Sequence, residues 1–229
     1  KKNEIQIVWF KRDLRISDHK PIYQASTSKI PLLPIYIVEP EYWKQPFASR
    51  RHWHFIHDCL IELRQDLKQL GQGLIVRKGS VVDIFKEFSD HYFIKNIYAH
   101  EETGNQWTYN RDIKVQKWCK KNNILLNEFP TNGVVRGLKN RSEWSKIRKT
   151  RIHDTLIKTP FSLTPLKGVE EGAIPEKHDA IFKNSFKGKV QKGGRIEALM
   201  ILESFFKDRG KGYLFNISAP GKSEITSSR

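Results

Sequence analysis

Three short stretches of this chain concentrate side chains that could hold or act on a ligand. Val8-Trp9-Phe10-Lys11-Arg12-Asp13-Leu14-Arg15 closes an apolar run with indole, ammonium, guanidinium and carboxylate groups. Glu39 to Trp43 closes a second run, and His100-Glu101-Glu102-Thr103-Gly104-Asn105 leads through Trp107 and Tyr109-Asn110-Arg111-Asp112 into a helix-like segment. Carboxylates, guanidiniums, amides and indoles at this density suit a planar ligand with a hydrogen-bonding edge. They also fit a capped helix start, with Thr103 or Asn105 as the cap and acids favoured by the helix dipole. One stretch can do both. No nucleophile stands beside a base and no carboxylate pair is placed for acid–base work, so no catalytic residue is assigned. Chemistry involving this chain would belong to a cofactor.

Other chemistries leave no trace. No G-x-G-x-x-G follows the first apolar run and no G-x-x-x-x-G-K-[ST] occurs, so neither phosphate-cradling fingerprint is present. His54 and His57 could share a helical face as metal ligands, but with Arg50, Arg51 and His52 they also read as a polar rim, and no metal site is assigned. Cys59 and Cys119 lack C-x-x-C partners, which fits buried thiols in a reducing compartment. The chain has 229 residues, 38% of them apolar, with 41 Lys and Arg against 25 Asp and Glu, a net charge of +16. That excess favours polyanionic partners, nucleic acid first. No apolar run reaches the ~18 residues of a membrane span. Lys1-Lys2-Asn3-Glu4 leads directly into a strand without a signal-peptide pattern, so a cytoplasmic protein is expected.

The elements that must position these clusters are legible in the spacing. Strands are expected at Ile5 to Trp9, Leu32 to Val38, Leu74 to Arg77, Asn96 to Ala99 and Ile124 to Phe129. Helices are expected at Lys20 to Ser28, Arg50 to Gly71, after Ser80, and Trp107 to Lys121. Ile56, Leu60, Leu63, Leu67 and Leu70 step along one helical face. Strands alternating with helices predict an α/β fold, a five-stranded, doubly wound parallel sheet, over residues 1–130. Residues 131–192 show no sustained periodicity and carry Pro160, Pro165, Gly168, Gly172 and Pro175, which reads as a connector laid over the surface. Residues 193–229 open with a strongly apolar helix through Leu199, Leu202, Phe205 and Phe206. Little chain follows to cover that helix, so disorder, repacking or burial in an oligomer is expected.

Several segments, in order and at suitable spacing, resemble the photolyase/cryptochrome family. Trp9-Phe10-Lys11-Arg12-Asp13-Leu14-Arg15 with Asp18-His19-Lys20-Pro21 is similar to its first strand and loop. Leu33 to Pro40 resembles its second strand, Ser49 to Leu67 its long helix, and His100 to Gly104 with Tyr109 to Asp112 its fourth loop. Gly194-Arg195 with Ala198, Leu199, Leu202 and Phe205 resembles the first helix of the family's flavin-binding domain. Tyr213 resembles a flavin-approaching tyrosine, and Ser227-Ser228-Arg229 the start of a phosphate-contact motif. The chain thus resembles the amino-terminal domain, the connector and the opening of a helical domain that would need roughly 200 further residues.

The resemblance implies a protein that uses light and reduced FAD to split pyrimidine dimers in DNA, of which this chain is the antenna portion and inactive alone. Lys11, Arg12, Glu39, Glu101, Glu102 and Asn105 would hold an antenna chromophore: a folate, a deazaflavin or a flavin. Tyr213, Ser227, Ser228 and Arg229 would belong to an incomplete FAD site. Arg141, Lys146, Arg148, Lys149 and Arg151 are the expected contacts to damaged DNA, through its backbone, although a solvated basic linker would look the same. A cryptochrome-type photoreceptor and a stand-alone nucleotide-binding module are the competing readings.

Overall fold

A computed structural model describes residues 2–131, 133–183, 188, 190–222 and 225. Strands β1 (Asn3–Phe10), β2 (Leu32–Val38), β3 (Ile75–Lys78), β4 (Tyr92–His100) and β5 (Leu125–Phe129) form one sheet in the order β3-β2-β1-β4-β5. Every neighbouring pair is parallel, as the alternation with helices requires. All seven residues of β2 are buried, because helices cover both faces of the sheet.

The faces follow from the strand order. Helices α1 (Lys20–Ser26), α2 (Pro40–Trp43) and α3 (Arg50–Gln69) follow β1 and β2. They pack Ile22, Trp43, Trp53, Leu60, Leu63 and Leu67 on one face. Helices α4 (Val81–His91) and α5 (Gln106–Lys121) follow β3 and β4, and pack Phe85, Phe88, Val115 and Trp118 on the other. Winding reverses between β1 and β4, so the loops after these two strands diverge and leave a crevice at the carboxyl edge.

Some boundaries depart from the spacing. β4 begins at Tyr92, four residues before the expected Asn96, because α4 passes into it directly and Tyr92 and Phe93 pair with Asn3 and Glu4. Lys95 is an extra residue in that ladder, opposite the step from Ile5 to Gln6, which breaks the alternation the sequence would otherwise show. The connector contains a helix, α6 (Trp144–Ile152), with no buried residue and therefore no apolar period to reveal it. Further on the connector enters the core: Leu163, Leu166, Ile174 and Phe182 are buried, and Phe182 stacks on Trp53 at 4.2 Å. Glu171 accepts the Val76 N–H at 2.6 Å, closing the β3 edge.

Helix α7 (Arg195–Lys207) hangs from α3. Glu62 on α3 accepts the Arg195 and Ile196 N–H groups at 2.7 and 3.2 Å, serving as an N-cap borrowed from another helix. Gly193 is required there, since a Cβ would lie 2.1 Å from the Phe55 carbonyl oxygen. Ile196, Leu199, Met200, Leu202 and Phe206 on α7 face solvent, so the helix forms with its apolar side open. Among the described residues no helix is long and apolar enough to cross a membrane.

Candidate functional site

The loops after β1, β2 and β4 meet at the carboxyl edge, and charge binds them together. Trp9, the penultimate residue of β1, is buried, with the Lys11 ammonium 4.4 Å and the Arg111 guanidinium 4.9 Å from its ring centre. Lys11 Nζ lies 3.1 Å from Asp112 and 3.7 Å from Glu128. Arg111 Nη1 donates to Glu39 at 2.9 Å, and Nη2 lies 3.4 Å from Glu102 and 2.9 Å from Asp112. Arg12 reaches Glu102 from outside at 3.3 Å, and Arg136 pairs with Glu128 at 3.0 Å. Burial pushes Glu39 above the usual carboxylate range although Arg111 pulls the other way. Burial pulls Arg111 down, but Glu39 and Asp112 outweigh it and hold the guanidinium charged.

Beneath the first loop lies a second network. Asp13 Oδ1 accepts the Lys11 N–H at 2.9 Å, while Oδ2 receives His19 Nε2 at 2.7 Å and His100 Nδ1 at 2.6 Å. Burial would raise Asp13, but the two imidazoles hold it well below the usual range. Among the described residues this is the one grouping with metal-compatible donors, all within 4.8 Å; His54 and His57 are not part of such a set. His19 Nδ1 accepts the Ile22 N–H at 3.2 Å, so its proton sits on Nε2. A ligating imidazole offers that lone pair and donates through its other nitrogen. The donor set therefore does not fit a metal, and the cluster pins the Lys11 to Arg15 loop to α1 and β4.

Two spaces remain. The inner one, against Trp9, Glu39, Tyr42, Glu102 and Arg111, has only about 70 Å³. The outer cleft, bounded by Arg12, Arg15, His100, Glu101, Thr103 and Thr131, has about 270 Å³, just below the ~300 Å³ at which small-molecule pockets begin. Glu101 Oε2, on the wall of that outer cleft, is buried and has no hydrogen-bond partner among the described residues. A buried acceptor left open is costly unless something donates to it.

Of the six residues expected to hold a pigment, Lys11, Glu39 and Glu102 are tied into the inner network, while Arg12 and Glu101 border the outer cleft. Asn105 caps α5, accepting the Thr108 N–H at 3.1 Å. Gly104 beside it leaves no room for a side chain, with Glu102 and Thr108 oxygens 2.7 Å from where a Cβ would stand. Arg111, Asp112, Glu128, His19 and His100 are members of these networks that sequence reasoning left unassigned. The Arg111-Asp112 pair inside the third cluster, and the acid at the end of the fifth strand, were the available signals. Tyr213 opens the short helix α8 (Tyr213–Asn216), its ring 5.8 Å from Phe205. Ser227, Ser228 and Arg229 lie outside the described residues. Arg141 sits in a 3-10 turn before α6, which carries Lys146, Arg148, Lys149 and Arg151.

A doubly wound parallel sheet with a polar cleft at its switch point makes this an α/β domain of the class whose ligands sit at that position. A family model described as DNA photolyase matches residues 6–142; the chain belongs to the DNA photolyase family, whose members include cryptochromes and FAD-binding flavoproteins. It is 30% identical over 136 residues to a chloroplastic/mitochondrial cryptochrome DASH of Solanum lycopersicum, a match covering 57% of this chain and 23% of that protein. It shares its fold with a class III photolyase from Agrobacterium tumefaciens, at a TM-score of 0.76 and 20% identity, covering 100% of this chain and 49% of the other. The fold is also that of a Synechocystis cryptochrome, at a TM-score of 0.75 and 21% identity, over 94% of this chain and 49% of the other. The chain thus spans about half the length of the solved proteins it resembles.

Proposed function

We propose that the protein repairs pyrimidine dimers in DNA by a light-driven flavin reaction, and that this α/β region holds the antenna pigment. The observation that carries the reading is the unpartnered, buried Oε2 of Glu101 on a cleft of about 270 Å³ at the switch point. A folate, a deazaflavin or a flavin presents a planar ring with N–H donors on one edge, which suits that carboxylate. Arg12 and Arg15 on the same cleft suit an anionic tail. The Lys11–Arg111 network would serve as a rigid floor that keeps water from Trp9. When bound, the pigment supplies light absorption and FAD supplies the electron for dimer cleavage. Tyr213 alone does not make a flavin site, so FAD is carried over from the family. DNA contact would fall to the connector's basic run, Arg141 to Arg151, in a protein of cytoplasmic setting.

The resemblance to cryptochromes supports a second reading, a blue-light photoreceptor. Ultraviolet-irradiated duplex DNA, incubated in light and in darkness with the FAD-loaded protein that carries this region, separates the two. Loss of dimers in light only is the expected result. Photoreduction of the flavin with dimers left intact would establish the photoreceptor reading instead.

A further inference from the structure

His19 and His100 hang from one carboxylate but end differently. Asp13 Oδ2 accepts from His19 Nε2 at 2.7 Å and from His100 Nδ1 at 2.6 Å, while Oδ1 accepts the Lys11 N–H. His19 uses both of its nitrogens inside the fold, because Nδ1 accepts the Ile22 N–H at 3.2 Å. His100 uses one: among the described residues nothing is hydrogen-bonded to its Nε2. The residue is only 5% exposed, yet its ring lines the outer cleft. A carboxylate can only accept, so Nδ1 of His100 carries a proton, and in the neutral ring Nε2 offers a lone pair. It is the second acceptor on this cleft left without a donor, beside Glu101 Oε2. Both are held by the sheet. His100 closes β4 opposite Phe129 of β5, and the Glu101 N–H donates to the Phe129 carbonyl at 2.8 Å.

We infer that His100 Nε2 is a ligand-binding acceptor of the outer cleft, held in that tautomer by Asp13 as a positioning residue, and that the cleft takes a ring with two separate N–H donors, one for His100 and one for Glu101. This deepens the pigment reading and rests on it. A few fixed polar groups orient a ligand in a pocket. A site built to accept a hydrogen bond discriminates against a ligand without the donor, because its own acceptor is then left unpaired. A ring with a single N–H satisfies one of the two acceptors and leaves the other open.

The test uses the full 229-residue chain with isotopically labelled histidine. Long-range proton–nitrogen NMR spectra show which imidazole nitrogen carries the proton. His19 should be protonated on Nε2 and His100 on Nδ1, opposite tautomers within one cluster. Titration with tetrahydrobiopterin, whose ring carries several N–H groups, should move the His100 Nε2 resonance. Riboflavin, whose oxidised ring has a single N–H and whose tail is likewise uncharged, should bind more weakly. His100→Asn keeps a donor for Asp13 and removes the acceptor. It should bind tetrahydrobiopterin about tenfold more weakly, with an unchanged circular dichroism spectrum. His100→Gln, which places an amide oxygen near Nε2, should recover part of that loss. Four results overturn the inference: a free chain with His100 protonated on Nε2, an Nε2 resonance unmoved by bound ligand, equal affinity in His100→Asn, or tighter binding of riboflavin. The pigment reading survives any of these if binding is still lost in Glu101→Leu. If neither ring binds the parent chain, the pigment reading fails and the inference fails with it.

Discussion

Removing the Arg111 guanidinium would leave Glu39 without its counter-charge, and Glu102 and Asp112 with only Arg12 and Lys11 as partners. Breaking a buried pair in this way costs roughly 3–5 kcal/mol. Arg111→Met is expected to lower the urea midpoint accordingly, and adding Glu39→Gln should recover part of the loss; a midpoint unmoved by Arg111→Met would show the network to be idle. The Asp13 cluster makes a pH prediction. Burial lowers His19 below its ordinary value of about 6.5, despite Asp13 pulling it up. As pH falls below that value the unfolded chain takes up the proton first, so stability is lost. Asp13, held low, adds a contribution that is present above about 3.9 and disappears in stronger acid. The thermal midpoint should therefore fall between pH 7 and 5, and fall less in His19→Asn, which keeps an acceptor for the Ile22 N–H. A flat profile in the parent chain would refute this. These partners sit up to 101 residues apart. The types of Asp13, His19, Arg111 and Asp112 were visible in the clusters, but their pairing depends on which strands neighbour β1, and local spacing does not say that.

At the scale of elements, helices with an apolar stripe and strands buried on both faces were readable, because burial imposes a period. α3 is the clearest case, with Leu60, Leu63 and Leu67 all buried. α6 was not readable, because it buries nothing and is held by Trp144 and Arg151 reaching backbone carbonyls. The docking of α7 was hidden for a similar reason, since its cap Glu62 lies 133 residues upstream. Losing a cap costs about 1 kcal/mol. Glu62→Ala should therefore speed hydrogen exchange at the amides of residues 195–207 while leaving the sheet protected. Gly193→Ala should act in the same direction, because its methyl meets the Phe55 carbonyl. Equal protection in parent and variants would mean that α7 is held by other contacts.

The whole molecule joins a closed inner network to an open outer cleft. The inner space is too small for a planar pigment, so the pigment reading stands on the outer cleft and on Glu101 in particular. The switch point between β1 and β4 needed the strand order, but the cleft's place at the carboxyl edge followed from the strand–helix alternation. Its division into a filled and an open part did not, because the filling depends on how far Arg111 reaches from α5 across to the loop after β2. The most direct test is the absorption and fluorescence of the purified chain in the near-ultraviolet and blue, as isolated and after incubation with a reduced folate or a flavin. A band beyond the protein's own aromatic absorption, saturating at one pigment per chain and lost in Glu101→Leu, is the predicted result. A chain that shows only aromatic absorption and takes up neither pigment, or takes them up equally well in Glu101→Leu, would contradict it.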